Sequence, residues 1–441
     1  MTEAPRPEDS PRALAALALL AGLGGTVTGA IVSLFLMGLH HASALRDTLL
    51  TWFVVHLNGP AAYAGPALMA AFSATCAALA AWLVLRFAQT AAGSGIPHVE
   101  AVVDGRLPPA GLRLVPVKFF GGILAIGGGL ALGREGPCVQ MGAGIAHLTT
   151  LVFRRAAAER SLLTAACAGA GLAAAFNAPI AGAIFVLEEL VRRFENRLAI
   201  AALMASSASI LVSRLMLGNV PALNITVDLP DQPLISGIYL AFGMVLGLIA
   251  VAYNQTILAT QDIAARLPLP PVARAALIGA AIGALAWFLP AVVGGGDHLS
   301  QAAIDGEVGL AALPALIAIR FLLGAVSFSA GTPGGLLAPM LALGALIGLW
   351  IGHGLSVLLP GLDITPEGFA VVGMAAFFAG SVRAPLTAIV IVTEMTANVA
   401  MLLPMLAACA GALILPTVLR NPPIYNALGA RLAGAPLRKR D

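Results

Sequence analysis

Glu135 is the side chain of this sequence whose position most clearly suggests chemistry. It lies in the segment GREGP (residues 133–137), directly after an uncharged run over residues 119–132. In so apolar a chain an ionisable group is expensive to keep, and it usually marks an ion or proton pathway. A glutamate at the start of a helix can also do no more than complement the helix dipole. The apolar surroundings favour a working carboxylate.

Three glycine-rich turns suggest what this carboxylate works on. They are GSGIP (93–97), GREGP (133–137) and GTPGGLLAP (331–339), and the second and third run into apolar helices. A helix N-terminus presents unpaired N–H groups and the positive end of the helix dipole, so it favours anions. Ser94 adds a hydroxyl group beside flexible backbone. With almost no fixed cation nearby, we expect a small anion held by amides and hydroxyls, weakly enough to be released.

The composition indicates which elements must position these turns. Charged residues make up 10% of the chain and apolar residues 59%, whereas soluble domains carry roughly 25% charged residues. The protein is therefore predicted to lie in a membrane. Uncharged stretches long enough to cross a bilayer of about 30 Å include residues 13–39, 51–85, 161–187, 275–296 and 321–362. Several exceed one span and must be broken, and lipid tolerates such breaks only where the freed backbone is buried or lines a cavity.

The basic side chains suggest an orientation in the membrane. They gather at residues 154–155, 192–197 and 438–440, and the positive-inside rule assigns these positions to the cytoplasmic face. Residues 1–12 mix both signs ahead of an overlong apolar run, so we expect a cytoplasmic segment and no cleavable signal peptide. Residues 433–441 are expected to form a basic cytoplasmic tail. The net charge of +3 does not indicate nucleic-acid binding, because the basic residues flank apolar spans.

Two blocks of the sequence repeat in the same order. Three positions recur at an offset of 202 residues, pairing Gly133, Pro137 and Gly142 with Gly335, Pro339 and Gly344. An Ala-Pro pair and a glutamate recur at an offset of 206, pairing residues 178, 179 and 188 with 384, 385 and 394. The pattern predicts a duplicated membrane domain over residues 13–432, with halves at about 13–216 and 234–432. Glu394 is interpreted as an echo of the repeat that pairs with a nearby arginine.

Other chemistries find little support in the sequence. The four cysteines are scattered inside apolar runs, and no spacing of cysteine, histidine and acid indicates a metal site. The pattern GAGLAA (169–174) fits a dinucleotide-binding signature, but it lies in an apolar span, where small residues let helices pack closely. No cofactor is expected. No Ser/His, Asp/Asp or zinc constellation supports an intramembrane enzyme, so the protein is predicted not to be an enzyme.

The three glycine-rich motifs, in this order and with Tyr425 near the C-terminus, resemble the CLC family of chloride channels and proton-coupled chloride antiporters. The similarity runs over roughly residues 13–432. It implies an all-α polytopic membrane protein of two inverted halves with many tilted and partial helices. It further implies a homodimer with one pore in each protomer, in a bacterial-type inner membrane, without C-terminal regulatory domains.

The resemblance also implies roles for individual residues. A central chloride would contact the hydroxyls of Ser94 and Tyr425 and the backbone N–H groups of Leu336 and Leu337. Read from the residues alone, the two hydroxyls are also of a kind that satisfies carbonyls in helix packing. Serine at position 94 resembles the chloride-selective members, and Leu337 stands where the family has a phenylalanine.

Glu135 would be the external gate. Ionised, its carboxylate would sit near the amides of the GREGP turn, including Gly136; protonated, it would swing out and admit chloride. Arg134 beside it either tunes the carboxylate or points away into a structural pair. His98 stands where relatives often have a glutamate.

Glu189 would be the internal proton glutamate, with Glu188 as its polar neighbour and Lys118 near the route. Alternatively, the two glutamates lie at a solvated helix end, because Arg192 and Arg193 follow, and Lys118 snorkels at a helix end. Carboxylates at both positions, 135 and 189, favour an electrogenic proton/chloride antiporter. The alternative is a passive, proton-gated chloride channel.

Overall fold

The computed structural model describes residues 10–57, 63–219, 221–224 and 233–432. Within these ranges the chain forms seventeen α-helices and no strand longer than an isolated bridge. The expected all-α class is therefore confirmed. The predicted cytoplasmic tail and all but the last three residues of the predicted N-terminal segment lie outside the described residues.

The helices of the first half are α1 Pro11–His56, α2 Gly65–Phe87, α3 Ile96–Val103, α4 Leu114–Gly127, α5 Glu135–Val152, α6 Ala157–Phe176, α7 Pro179–Phe185 and α8 Asn196–Leu217. Those of the second half are α9 Pro233–Arg266, α10 Pro271–Phe288, α11 Asp297–Ile304, α12 Leu313–Phe328, α13 Leu337–Leu358, α14 Pro366–Val382, α15 Pro385–Thr396 and α16 Leu402–Val418. Helix α17, Ile424–Leu432, follows the second half. Val186–Leu190 forms a π-helical turn directly after α7.

The duplication is visible in the packing, because helices α1–α8 correspond in order to α9–α16. Helix α1 packs on α8 as α9 packs on α16, and α5 packs on α6 as α13 packs on α14. Gly25 and Gly29 let α1 approach the backbone of α8, while Gly243 and Gly247 do the same between α9 and α16. A Cβ atom at any of these four glycines would overlap the facing backbone. Small residues four apart are a common device for close helix packing in membranes.

Among the residues that the structure describes, six helices are long and apolar enough to cross a membrane: α1, α2, α8, α9, α10 and α13. Their outer faces carry large apolar side chains, such as Leu211 and Leu215 on α8, that are exposed on the monomer. These faces are suited to lipid or to another apolar surface. The chain is a multi-pass membrane protein.

The overlong apolar runs are broken as expected. The run over residues 51–85 is interrupted between α1 and α2, and the run over 321–362 is interrupted between α12 and α13. The run over 161–187 breaks at Asn177, whose left-handed backbone ends α6 just before Pro179 starts α7. Asparagine tolerates this conformation, and proline suits the first position of a helix. The breaks place several helix N-termini inside the protein.

Candidate functional site

The three glycine-rich turns meet through backbone hydrogen bonds. The N–H of Gly93 donates to the carbonyl of Thr332 at 3.1 Å, and the N–H of Gly334 donates back to Gly93 at 3.1 Å. Gly133 and Gly335 exchange both their bonds, at 2.8 and 2.7 Å. The turn before α13 therefore lies between the turns before α3 and α5. This arrangement brings three helix N-termini, from both halves of the chain, to one place.

The Glu135 carboxylate lies at the start of α13. The side chain is completely buried, and Oε1 accepts a hydrogen bond of 2.7 Å from the backbone N–H of Leu337. The first N–H groups of a helix have no partner within the helix, so they stabilise a negative charge close to them. The other oxygen, Oε2, is buried and has no hydrogen-bond partner among the described residues. Glu135 thus bridges the repeat from α5 to α13 and sits where an anion would bind.

Glycines make room for this carboxylate. A Cβ atom at Gly133 or at Gly335 would overlap the Glu135 carboxylate itself. A Cβ atom at Gly136 would overlap the carbonyl of Ser94. Side chains at these three positions would push the turns apart, which explains why the motifs need glycine here.

Ser94 and Tyr425 bring two hydroxyl groups to the interior. Tyr425 lies on α17, which packs on α3, and its phenol lies beside the Ser94 hydroxyl. Both side chains are buried, and apart from this mutual contact neither hydroxyl has a hydrogen-bond partner in the described part of the chain. Buried polar groups are normally paired, so unpaired hydroxyls beside a helix N-terminus suit a ligand. Leu336 and Leu337, whose amides were predicted to share this ligand, are buried at the start of α13.

Thr332 is a further candidate that sequence reasoning missed. Its hydroxyl is also buried without a partner among the residues described, and its carbonyl holds Gly93. Its signal in the sequence was a hydroxyl residue inside the GTPGGLLAP motif, equivalent in type to the serine of GSGIP.

Lys118 is buried and supports the turn that carries Ser94. Its Nζ donates to the carbonyl of Ala91 at 2.9 Å and to that of Gly93 at 2.6 Å. The ammonium group has no solvent exposure, so it does not snorkel to an interface. Lys118 therefore fixes the backbone just before the serine.

Glu189 lies in the π-helical turn and is buried, with 3% of its side chain exposed. It is therefore not at a freely solvated helix end. Its Oε1 lies 3.0 Å from Nη2 of Arg192, which also contacts Glu100 at 2.6 Å. π turns inside helices are frequent at functional sites. A cavity of about 370 Å³ borders this turn, and its lining includes Glu188, Glu189, Arg192, Arg193 and Arg383.

Glu188 and Glu394 differ from Glu189 in their contacts. Glu188 accepts hydrogen bonds from the first N–H groups of α15, and Glu394 accepts them from the first N–H groups of α7. The hydrogen-bond partners of Glu394 are thus backbone N–H groups. Arg214 interacts with its carboxylate electrostatically and makes no hydrogen bond to it. The interpretation of Glu394 as an arginine partner missed this capping role.

Arg134 contacts the start of α11. Its Nη1 lies 3.3 Å from Oδ2 of Asp297, and its guanidinium lies over the ring of Phe176. These contacts form a structural pair, and the guanidinium also interacts electrostatically with the Glu135 carboxylate. His98 is buried, and its Nδ1 lies 3.3 Å from Nε2 of Gln140, which also donates to the carbonyl of Thr90.

Metal ligands do not gather in the site. Over the described ranges, no three His, Cys, Asp or Glu side chains come together as they would around a metal ion. The donors that the site offers are N–H groups and hydroxyls, which suit an anion.

The fold, its repeat and the three joined turns define an anion-transport protein of the CLC class, and the chain belongs to the voltage gated chloride channel family, whose model matches residues 76–416. The resemblance seen in the motifs is thereby confirmed. The chain is similar to the H(+)/Cl(-) exchange transporter ClcA of Salmonella typhimurium, with 37% identity over 426 residues, 94% of this chain and 88% of the relative. ClcA of Cronobacter sakazakii is 40% identical over 368 residues, 82% of this chain and 79% of the relative.

A solved structure supports the same architecture. The crystal structure of a slow cyanobacterial Cl−/H+ antiporter superimposes with a TM-score of 0.90 and 30% sequence identity. The match covers 96% of this chain and 99% of the antiporter. The CLC fold of two repeated halves is therefore confirmed over nearly the whole chain.

Proposed function

We propose that this protein exchanges chloride for protons across a bacterial inner membrane, with Glu135 as the gate for both ions. The observation that carries the proposal is the hydrogen bond of 2.7 Å between the Glu135 carboxylate and the Leu337 amide. Relatives named H(+)/Cl(-) exchange transporters support the choice of ions.

Chloride and the ionised Glu135 carboxylate would compete for the same N–H donors. Protonation removes the negative charge of the carboxyl group, so it loses most of its attraction to the helix N-terminus. Chloride then takes the amides of Leu336 and Leu337 and the hydroxyls of Ser94 and Tyr425. All these donors are neutral, so the anion is held without being trapped.

Protons would reach Glu135 through Glu189. Glu189 is buried beside the cavity of about 370 Å³, which gives it access to water. Glu188, next to Glu189, holds the start of α15, and Lys118 holds the turn before Ser94. Chloride and protons move in opposite directions, so their charges add. Transport is therefore electrogenic. Moving one elementary charge across the membrane changes its energy by about 2.3 kcal/mol for each 100 mV of membrane potential.

The assembly that we propose is a homodimer in the lipid bilayer, in which each protomer has its own pore and both termini face the cytoplasm. The proposed transport needs no cofactor beyond the two transported ions. Cross-linking in native membranes would test the dimer, and labelling of engineered terminal cysteines from either side would test the orientation.

The decisive experiment is transport by purified protein in liposomes, with chloride and proton fluxes recorded together. An imposed chloride gradient should drive protons uphill in the wild type. Glu135→Gln should still pass chloride while proton movement disappears, and Glu189→Gln should also uncouple the ions. Glu195→Gln is a matched control, since this exposed glutamate precedes α8 without capping it. Chloride flux without any proton flux in the wild type would instead identify a passive channel.

A further inference from the structure

Arg192 joins three segments through a single nitrogen atom. Its Nη2 lies 3.0 Å from Glu189 Oε1, 2.6 Å from Glu100 Oε1 and 2.7 Å from Asn426 Oδ1. These acceptors belong to the π-helical turn, to α3 and to α17. They are separated from Arg192 by 3, 92 and 234 positions, so only the tertiary fold brings them together.

The same segments carry the other groups of the site. Helix α3 follows directly on the turn that contains Ser94, and Tyr425 immediately precedes Asn426 on α17. We propose that Arg192 is a positioning residue that couples the internal proton glutamate to the segments carrying the two anion-binding hydroxyls. The inference rests on the proposed exchange function and adds to it the link between the two ion sites.

The number of hydrogens on Nη2 makes this contact sensitive to the charge of its partners. An Nη atom of arginine carries two hydrogens, whereas three oxygen acceptors lie within hydrogen-bond distance of it. The acceptors therefore compete. A hydrogen bond to an ionised carboxylate is stronger than one to a neutral group. When Glu189 takes up a proton, the guanidinium shifts its bonds towards Glu100 and Asn426.

Glu100 and Glu189 compete for Arg192 in a buried environment. The side chains of Glu100 and Glu189 are 7% and 3% exposed, whereas that of Arg192 is 30% exposed. Two carboxylates buried near one cation depend on it strongly, because removing the cation leaves uncompensated charge in the interior. The more exposed guanidinium keeps room to move between its acceptors.

The backbone at Arg192 adopts a conformation that few side chains favour. Arg192 has a φ of 57°, in the left-handed region, and only Val191 separates it from the π-helical turn. Arginine gains nothing from this conformation, and asparagine tolerates it better. Arg192→Asn therefore removes the guanidinium while keeping the turn.

Arg192→Asn and the wild type would be compared in liposomes for protons moved per chloride. We expect the number of protons moved per chloride to fall below that of the wild type, while chloride flux persists. Arg193→Asn is the matched control, since Arg193 lines the same cavity without a hydrogen bond of this network. Its ratio should equal that of the wild type.

Each outcome decides the proposal. An unchanged ratio in Arg192→Asn, or an equal loss of both fluxes, would overturn the coupling role. If Arg192→Asn does not fold, Asn426→Ala takes its place, because it removes the contact between α17 and the guanidinium. A number of protons per chloride equal to that of the wild type would again contradict the proposal. A wild type that moves no protons at all would refute the exchange function itself, which is a different result.

Discussion

Glu188 and Glu394 each cap the helix that leads to the other. The two oxygens of Glu188 accept hydrogen bonds of 3.0 and 2.6 Å from the first two N–H groups of α15. Those of Glu394 accept bonds of 3.1 and 2.8 Å from the first two N–H groups of α7. Each glutamate lies near the C-terminal end of its own helical segment, so the two equivalent segments run antiparallel. The reciprocal caps therefore hold the inverted halves together.

Removing either cap should lower stability without abolishing the fold. Glu188→Ala and Glu394→Ala should each cost about 1–2 kcal/mol of unfolding free energy, the range of helix N-caps, because a charged acceptor is lost from a helix N-terminus. Unfolding of purified protein in detergent would measure this, with Glu195→Ala as the control. Equal stability of Glu188→Ala and wild type would contradict the capping role.

Adding a methyl group beside the gate should displace it. In Gly335→Ala the new Cβ would overlap the Glu135 carboxylate and lie 2.9 Å from the backbone nitrogen of Gly136, so the carboxylate leaves the α13 N-terminus and the turn before α5 shifts with it. We expect chloride to pass with fewer protons exchanged, as recorded by simultaneous flux measurements in liposomes. Gly354→Ala, on α13, is the control, because a Cβ there meets nothing within 4 Å. Coupled exchange at the wild-type ratio in Gly335→Ala would show that the carboxylate need not sit there.

The two unpaired hydroxyls should contribute to anion binding more than to folding. Ser94→Ala and Tyr425→Phe should each weaken chloride binding by about 0.5–1.5 kcal/mol, the net value of a hydrogen bond. Thermal stability without chloride should stay close to the wild type, since neither hydroxyl has a partner other than the second hydroxyl among the residues described. Calorimetric titration with chloride and a melting curve on the same samples separate the two effects. A stability loss with unchanged affinity would assign the hydroxyls to packing.

Lys118→Met should loosen the turn before Ser94. The substitution leaves the carbonyl of Ala91 without its Lys118 donor, while that of Gly93 keeps only the Gly334 N–H, at a cost of about 1–3 kcal/mol for an unsatisfied group. We expect both lower stability and weaker chloride binding. Lys118→Gln retains a donor and should lose less of each. Chloride affinity equal to the wild type in Lys118→Met would remove Lys118 from the support of the anion site.

The backbone of the site was largely predictable from sequence. Glycines and prolines at 133–137 and 331–339 reveal where helices must start, because those residues limit the backbone locally. The same residues, read at a fixed offset, reveal the duplication. The hydrogen bond from Leu337 to Glu135 joins residues 202 apart, the offset of the repeat itself.

The side-chain partners were not predictable in this way. Arg134 pairs with Asp297, a contact that depends on the tertiary position of α11 and has no local signal in the sequence. Arg192 meets Glu100 across 92 positions, and no local pattern records that contact. Helix α1 likewise continues through Arg46 and Asp47, whose side chains pair with each other at 2.8 Å. Such contacts depend on packing between segments that are distant in sequence.

The turn before α13 is bonded on both sides to turns of the other repeat. Neither half could therefore assemble the ion site by itself. A polypeptide severed between residues 219 and 233 would have to reunite its fragments before it could carry any ion. For the same reason, an ancestor with a single half would have needed two copies inserted into the membrane in opposite directions. The ability to insert in either direction would then have preceded the fusion into one chain.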